Sequence, residues 1–287
     1  MESKKIADLK IFANQIRIET LKELAQLGSG HVGGALDLAD LLAVLYQNIM
    51  QIDPKNPDDP KRDYLVVSKG HAGPVVYAAL ALKGYFPMEQ LMTLNQSGTR
   101  LPSHCDRCKT VGIDMTAGSL GQGIGAALGI ALGNKTAGRD NYTYCIVGDG
   151  EMNEGSVWEA MMLAPQYNLK NLVVIVDENG LQIDGATKDI LSIGDIAQKA
   201  RDFGWYVMDV DGHDVESLGM AISLGKKADR PVFIDMHTVK GKGWKKYENV
   251  LGSHHVKSIS KEEILEPIVA LEQENENYGK THNRGGE

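Results

Sequence analysis

A chain of 287 residues, 43% hydrophobic and 24% charged, is long enough to bury a large core, and its formal net charge of −8 argues against a nucleic-acid-binding surface. No apolar run approaches the roughly 20 residues that a membrane-spanning helix needs, and the first residues lack the apolar core of a signal peptide. Three cysteines provide no disulfide framework, so we expect a cytoplasmic protein that neither enters nor binds a membrane.

Segments of helical and strand character alternate along the chain. Apolar positions from Ile6 to Leu27 recur with helical spacing, and Asp37 is a suitable N-cap for a second helix. Residues 53–62 are rich in proline and charge, which predicts a surface loop. The predicted helices are Ile6–Leu27, Asp37–Met50, Val75–Lys83, Met88–Asn95, Gly118–Gly138, Ser156–Tyr167, Asp195–Phe203, Val215–Ala228 and Ser260–Glu274, and the predicted strands are Tyr64–Ser68, Tyr142–Val147, Leu172–Val176, Trp205–Val210 and Val232–His237.

This alternation predicts an α/β fold with a doubly wound, mostly parallel sheet flanked by helices. We expect one domain over residues 1–272, followed by a polar C-terminal tail over residues 273–287. In sheets of this kind a ligand binds beyond the carboxyl ends of the strands, so polar residues that follow strands are the candidates for a site.

Two such positions are Asp149, in Gly148-Asp149-Gly150, and Asn179, each of which follows a predicted strand. The helix between the two strands indicates a strand–helix–strand unit, which brings both strand ends to one edge of the sheet. A carboxylate and an amide oxygen suit Mg²⁺, which takes its remaining oxygens from phosphate and water. Each half alone is more often an ordinary turn; the pair with its strands favours a metal–diphosphate site.

The pairing resembles the thiamine diphosphate signature, in which Gly-Asp-Gly is followed by a metal-binding Asn. The family often has Asn-Asn where this chain has Glu178-Asn179, and the second Asn is the ligand. The resemblance implies thiamine diphosphate as the cofactor, held through Mg²⁺, or Ca²⁺ or Mn²⁺ in its place. It also implies that Asp149, Asn179 and the backbone carbonyl of Leu181 bind the metal.

Further motifs resemble transketolase in the same order from about Ile16 to about Lys261. One departure is Val32, where transketolases usually have proline. The motifs are Gly30-His31-Val32-Gly33-Gly34, Ser68-Lys69-Gly70-His71-Ala72, Pro102-Ser103-His104, the segment from Asp114 to Gly123, Thr238-Val239-Lys240-Gly241-Lys242-Gly243, and His254-His255.

Residue roles follow from this resemblance. His31 and His104 are implied as catalytic residues near the sugar and the carbonyl oxygen of the donor. His255 is implied as a further catalytic residue because His255-Val256-Lys257 resembles a His-Gly-Lys stretch of the family, and Glu154 is implied as a glutamate that couples to a partner's glutamate. His254 is an alternative to His255 as the histidine that faces the cofactor. The implied cofactor-binding residues are His71, Gly118, Ser119, Leu120, Gly150, Glu154, Asn179 and His255.

A full transketolase continues into a pyrimidine-binding domain that carries the glutamate needed to activate the cofactor. The resemblance here stops after the diphosphate-binding domain. It therefore implies the N-terminal subunit of a split transketolase, whose C-terminal partner supplies that glutamate, in a heterotetramer that transfers two-carbon ketol units between sugar phosphates.

Alternative functions share parts of these patterns. A deoxyxylulose-phosphate synthase or a 2-oxoacid dehydrogenase E1 component would share the Gly-Asp-Gly unit, and a non-catalytic copy would be an interaction protein. Gly121-x-Gly123-x-x-Ala126 also satisfies a loose dinucleotide fingerprint, but the segment before it is a poor strand. The set of histidines favours transketolase over the other thiamine enzymes, and the presence of Asp149, Asn179 and His71 weighs against a non-catalytic copy.

Two other features of the sequence are predicted to have no catalytic role. Cys105 and Cys108 form a CxxC motif without the second cysteine pair that a structural zinc site needs, so we interpret them as loop thiols. His237 lies on a predicted strand and is expected in the core.

Overall fold

Five parallel strands form the main sheet in the part of the chain that this computed structural model describes, residues 2–284. The strand order across the sheet is β1-β2-β3-β7-β6, and a separate two-stranded hairpin is formed by β4 and β5. The strands are β1 Tyr64–Val67, β2 Thr143–Gly148, β3 Leu172–Glu178, β4 Leu181–Gln182, β5 Gly185–Ala186, β6 Tyr206–Asp211 and β7 Val232–His237.

Helices connect the strands and cover both faces of the sheet. The long first helix ends at Gly28, whose left-handed φ of 87° lets its N–H bond back to the carbonyl of Leu24. The helices are α1 Ser3–Leu27, α2 Gly33–Leu36, α3 Ala39–Val44, α4 Gly73–Lys83, α5 Gln122–Thr136, α6 Gly155–Gln166, α7 Thr187–Leu191, α8 Ile196–Asp202, α9 Val215–Gly225 and α10 Leu265–Arg284.

Two apolar clusters lie on opposite faces of the sheet. Alternate residues of each strand enter one cluster or the other: Ile146 and Ile175 pack against the side of α1, α3 and α4, whereas Cys145 and Val174 pack against the side of α5 and α6. Because the sheet is buried on both faces, its central strands are almost continuously apolar. The predicted α/β fold with a parallel sheet flanked by helices is confirmed.

Several local predictions differ from the structure. Asp37 is not the N-cap of a helix; it follows α2 as its C-cap residue and is buried, and its carboxylate meets the ammonium group of Lys69. The last helix is longer than Ser260–Glu274, because α10 packs along α1 and Asn14 donates hydrogen bonds to the side chains of Glu274 and Asn275. The predicted polar tail is thus helical as far as Arg284, and residues 285–287 lie outside the described residues. His237 is at an exposed strand end instead of the core.

The strand register sets the position of the candidate site. Gly148 is paired with Asp177 across β2 and β3, so Asp149 and Asn179, which follow these strands, leave the sheet at the same edge. Between residues 2 and 284, no helix is both long enough and apolar enough to cross a membrane.

Candidate cofactor site at the carboxyl ends of the strands

The predicted metal ligands converge at this edge of the sheet. Both oxygens of Asp149 are held by backbone donors, Oδ1 by the N–H of Gly150 at 2.8 Å and Oδ2 by the N–H of Gly180 at 2.7 Å. Asn179 Oδ1 accepts from the N–H of Leu181 at 3.0 Å. All three predicted ligands line one cavity of about 330 Å³. A carboxylate, an amide oxygen and a peptide carbonyl are the hard donors that Mg²⁺ takes in proteins.

The ammonium group of Lys240 contacts one of these three predicted metal ligands. Lys240 Nζ donates to the carbonyl oxygen of Leu181 at 2.7 Å, although the Lys240 side chain is almost fully buried. Burial and the neighbouring carboxylate of Asp177 raise the pKa of Asp149 to about 6. A divalent cation would favour the ionised form of Asp149, so the residues fit a metal.

Glycine leaves room at the cavity wall. A Cβ placed on Gly150 would lie 2.7 Å from Oε1 of Gln182, which lines the same cavity. A side chain at position 150 would therefore crowd Gln182 at the wall of the cavity.

Histidines from four separate segments surround one another beside the oxygen ligands. The ring centroid of His31 lies 5.3 Å from that of His71, 5.5 Å from His104, 5.6 Å from His254 and 4.7 Å from His255. His31, His71, His104 and His254 line the cavity, whereas His255 is exposed and packs on His31. Both members of the C-terminal pair thus reach the cluster, and the role predicted for His255 stays a prediction.

The four imidazoles that line the cavity are held in the neutral form. Burial, followed by the charges of His255 and His254, lowers the pKa of His31 to about 3. Burial and Lys240 lower the pKa of His254 to about 4. The pKa of His71 is lowered well below its usual value by burial and by Lys69, and that of His104 is lowered by burial. Neutral rings can each offer one N–H donor and one acceptor nitrogen near neutral pH.

A buried network of ion pairs lies next to the histidines and the predicted metal ligands. Lys69 Nζ lies 2.5 Å from Asp177 Oδ2 and 3.3 Å from Asp37 Oδ1. Asn179 Nδ2 donates to the same Asp177 oxygen at 2.8 Å, which fixes the amide so that Oδ1 is its acceptor side. Although burial alone would lower it, the two carboxylates raise the pKa of Lys69. Lys69 and Lys240 both belong to the sequence motifs, but the sequence analysis assigned no role to Lys69.

Glu151 is a further residue that the sequence analysis missed. Its buried carboxylate accepts from the hydroxyl of Ser68, from the N–H of Gly121 at 2.8 Å and from the N–H of Gly148 at 3.1 Å. It thereby ties the end of β1, the start of α5 and the end of β2 together. Its position next to Gly150 was the available signal.

The remaining predicted residues lie around the rim. Gly118 and Leu120 line the cavity, while Ser119 beside them is exposed. Glu154 precedes α6 as its N-cap residue, is exposed, and makes no side-chain capping hydrogen bond. It lies outside the cavity lining and is free to face another chain.

The CxxC loop is separate from this chemistry. Cys105 is buried, Cys108 is exposed, and both are free thiols. Burial raises the pKa of Cys105 to about 12, which keeps it protonated.

Comparison with known proteins decides the family. A family model described as the thiamine diphosphate binding domain of transketolase matches residues 9–274. The chain belongs to the transketolase family. Its match is therefore to the domain that binds the cofactor, in agreement with the interpretation of the Gly148–Gly150 and Asn179 pair.

Two curated transketolase relatives are matched over almost their whole length. The chain is 49% identical over 268 residues to the 6-deoxy-6-sulfo-D-fructose transketolase subunit SqwG of a Clostridium species (strain MSTE9), covering 93% of this chain and 97% of the relative. It is 34% identical over 277 residues to an apulose-4-phosphate transketolase subunit of Phocaeicola vulgatus, covering 94% of this chain and 98% of the relative. Both relatives are named as subunits.

Solved transketolases share the fold but are longer. The transketolase of Campylobacter jejuni subsp. jejuni superposes with a TM-score of 0.86 at 31% identity, covering 92% of this chain and 42% of that one. The chain thus spans less than half the length of this solved transketolase.

Proposed function

We propose that this chain is the N-terminal subunit of a two-chain transketolase, which transfers a two-carbon ketol unit from a ketose to an aldose with thiamine diphosphate and Mg²⁺. The observation that carries the proposal is the shared cavity in which the oxygens of Asp149, Asn179 and Leu181 meet a wall of neutral histidines. Metal–diphosphate ligands alone would suit any thiamine enzyme; the histidines favour sugar chemistry.

In this proposal Asp149, Asn179 and Leu181 hold the metal, with Ca²⁺ or Mn²⁺ able to replace Mg²⁺. The remaining contacts to the diphosphate come from groups that line the same cavity, among them His71, Gly118, Leu120, Gly150 and Lys240. Thiamine diphosphate, when bound, supplies the nucleophilic carbon that breaks a carbon–carbon bond of the ketose and carries the two-carbon unit. The chain itself anchors and orients the cofactor and excludes water from the site.

The histidines act on the sugar. A neutral imidazole N–H of His31 or His104, aimed at the carbonyl oxygen of the donor, stabilises the negative charge that develops there. The acceptor nitrogen of a neighbouring ring, such as His255 against His31, can take up a hydroxyl proton. Because burial keeps the rings of His31 and His104 neutral, both roles are available near pH 7.

The partner contributes the glutamate that activates the cofactor and completes a heterotetramer. Two relatives named as subunits and matched over 97% and 98% of their lengths support a two-chain enzyme. The exposed carboxylate of Glu154, at the first turn of α6, would face the partner's glutamate.

The donor that we propose is a ketose with an anionic terminal group. The two relatives are named for a sulfonated fructose and for a sugar phosphate, respectively. The groups that bind the terminal anion of the ketose would come largely from the partner chain. The higher identity of the first relative makes 6-deoxy-6-sulfo-D-fructose the first donor to test.

The proposal is tested by mixing the chain with its partner, thiamine diphosphate and Mg²⁺, and measuring the aldose released from each donor in the presence of an acceptor aldehyde. We expect turnover of the sulfonated ketose or of fructose 6-phosphate without release of CO₂. Decarboxylation of a 2-oxoacid, with no transfer from any ketose, would assign the chain to another thiamine reaction.

A further inference from the structure

The ends of β3, β6 and β7 carry a polar cluster that the cofactor cavity does not use. Its members are Glu178, Asp209, Asp235 and His237, which we call the strand-end cluster. Glu178 is paired with His237 across β3 and β7, and Asp209 is paired with Asp235 across β6 and β7. Since side chains alternate along a strand, Asp235 and His237 lie on the same face of the sheet.

The imidazole of His237 bridges two carboxylates. Its Nδ1 lies 2.8 Å from Glu178 Oε2, and its Nε2 lies 2.5 Å from Asp209 Oδ1. One ligand atom each from Glu178, Asp235 and His237 lies within 4.8 Å of the other two. Tetrahedral ligands about 2.0–2.2 Å from a shared Zn²⁺ ion lie about 3.3–3.6 Å apart, so the exposed imidazole would rotate to bring the three groups onto one ion.

Asp235 is buried beside Glu178, and in the described part of the chain one of its two carboxylate oxygens is left without a partner. Its side chain is only 3% exposed, and within the described residues its Oδ1 has no hydrogen-bond partner. A buried carboxylate oxygen without a partner is costly, so such an atom calls for an explanation. Protonation of His237 would satisfy Glu178 and Asp209 but would leave this oxygen of Asp235 unpaired. A cation between Asp235 and Glu178 would satisfy it.

We propose that Glu178, Asp235 and Nδ1 of His237 bind a divalent transition-metal ion, with Zn²⁺ as the ion that this donor set favours. Two carboxylates and one imidazole suit Zn²⁺, whereas Mg²⁺ prefers oxygen ligands alone. Asp209 accepts the Nε2–H of His237, which fixes the ring tautomer and leaves the Nδ1 lone pair for the metal. Water supplies the open position on the exposed side.

The site is independent of the proposed activity and would act on structure. An ion there would tie together the ends of β3 and β7, and Asp209 would link β6 to it through the imidazole of His237. Glu178 directly precedes Asn179, so the ion would also steady the strand end that carries a predicted ligand of the cofactor metal.

The test uses the full chain with saturating thiamine diphosphate and Mg²⁺, so that the histidine cavity is filled before Zn²⁺ is added. Anomalous diffraction from Zn²⁺-soaked crystals locates the ion, and equilibrium dialysis measures the affinity. We expect density between Glu178, Asp235 and His237, and a loss of this binding of at least about 100-fold in Asp235→Asn. Asp209→Asn, which changes only the hydrogen-bond partner of the His237 imidazole, should lower the Zn²⁺ affinity by about 10–100-fold.

Two variants keep the test decisive. His237→Gln changes a side chain that is 55% exposed, so it should fold even where Asp235→Asn does not. Asp229→Asn is the matched control, because it removes a carboxylate that is exposed and pairs with Arg230. Zn²⁺ density confined to the cavity histidines or to Cys108, or equal affinity in wild type and His237→Gln, would overturn the proposal.

Discussion

Lys240 donates a hydrogen bond from Nζ to the carbonyl oxygen of Leu181, 2.7 Å away, and so places an ammonium group against a predicted metal ligand. The same Nζ lies 3.5 Å from Nδ1 of His254. A divalent ion bound to the same carbonyl oxygen would lie close to this ammonium group. In the proposed function, the cofactor's diphosphate is a suitable second acceptor for the ammonium group of Lys240.

We expect Lys240→Met to weaken thiamine diphosphate binding by roughly 10–100-fold, since a hydrogen bond from a charged donor contributes about 1.5–3 kcal/mol. Methionine keeps most of the side-chain length but removes the charge. Calorimetric titration at fixed Mg²⁺ measures the change, with the exposed Lys245→Met as the control. Equal affinities in both variants would remove Lys240 from the site.

Asp149 is the predicted ligand with a full charge. Asp149→Asn should abolish the metal dependence of cofactor binding, with a loss larger than the roughly 10–100-fold that changes behind a ligand cost. Asparagine can keep one of the two backbone hydrogen bonds that Asp149 accepts, so the fold should remain in place. Cofactor titrations with and without Mg²⁺ check this, with Asp229→Asn as the charge-matched control. An unchanged metal dependence would contradict the assignment of Asp149 as a metal ligand.

Metal affinity should depend on pH. Burial and Asp177 raise the pKa of Asp149 to about 6, so its carboxylate binds a proton in competition with the metal as the pH falls. Affinity should be nearly constant above about pH 7 and should fall up to about tenfold per pH unit below about pH 6. Mn²⁺ titrations followed by electron paramagnetic resonance at several pH values measure it. An affinity that stays constant from neutral to mildly acidic pH would contradict the assignment of Asp149 as a ligand.

Two glycines of α5 offer a matched pair. A Cβ on Gly123 would lie 2.5 Å from the Ser68 hydroxyl and 2.6 Å from its Cα, whereas a Cβ on Gly125 meets nothing within 4 Å. We expect Gly123→Ala to destabilise the chain by about 1–3 kcal/mol, and Gly125→Ala to stabilise it by about 0.5–1 kcal/mol through helix propensity. Urea unfolding of both variants provides the comparison. Similar midpoints for the two would show that β1 and α5 do not pack as described.

The paired histidines should have separable effects. His254 lines the cavity with its ring 5.0 Å from that of His71, so His254→Ala should mainly raise the Kd for the cofactor. His255 packs on His31, so His255→Ala should mainly lower kcat, by the roughly 10²–10⁴-fold typical of acid–base groups. Cofactor titration and steady-state kinetics in the two-chain mixture separate these outcomes. The reverse pattern would assign the cofactor contact to His255.

The parallel sheet and the position of Asp149 and Asn179 were predictable because they depend on local signals. Near-continuous apolar strands indicate a sheet buried on both faces, and parallel strands bring their carboxyl ends to one edge. Motif order likewise pointed to His31, His71 and His104 before any distance was known.

The supporting contacts were not predictable, because they join residues far apart in the chain. Lys69 meets Asp177 over 108 positions, and Lys240 meets Leu181 over 59. Asp37 looked like an N-cap because its type suits one, yet burial beside Lys69 determines its place. The length of α10 depends on packing against α1, which no local pattern encodes.

A two-carbon transfer assay with thiamine diphosphate and Mg²⁺ tests the two-chain proposal most directly, when it is run on this chain alone, on its partner alone and on the mixture. We expect transfer from an anionic ketose only in the mixture, and its loss when Asp149→Asn replaces the wild-type chain. Full activity of this chain without any partner, or an unchanged rate with Asp149→Asn, would contradict the proposal.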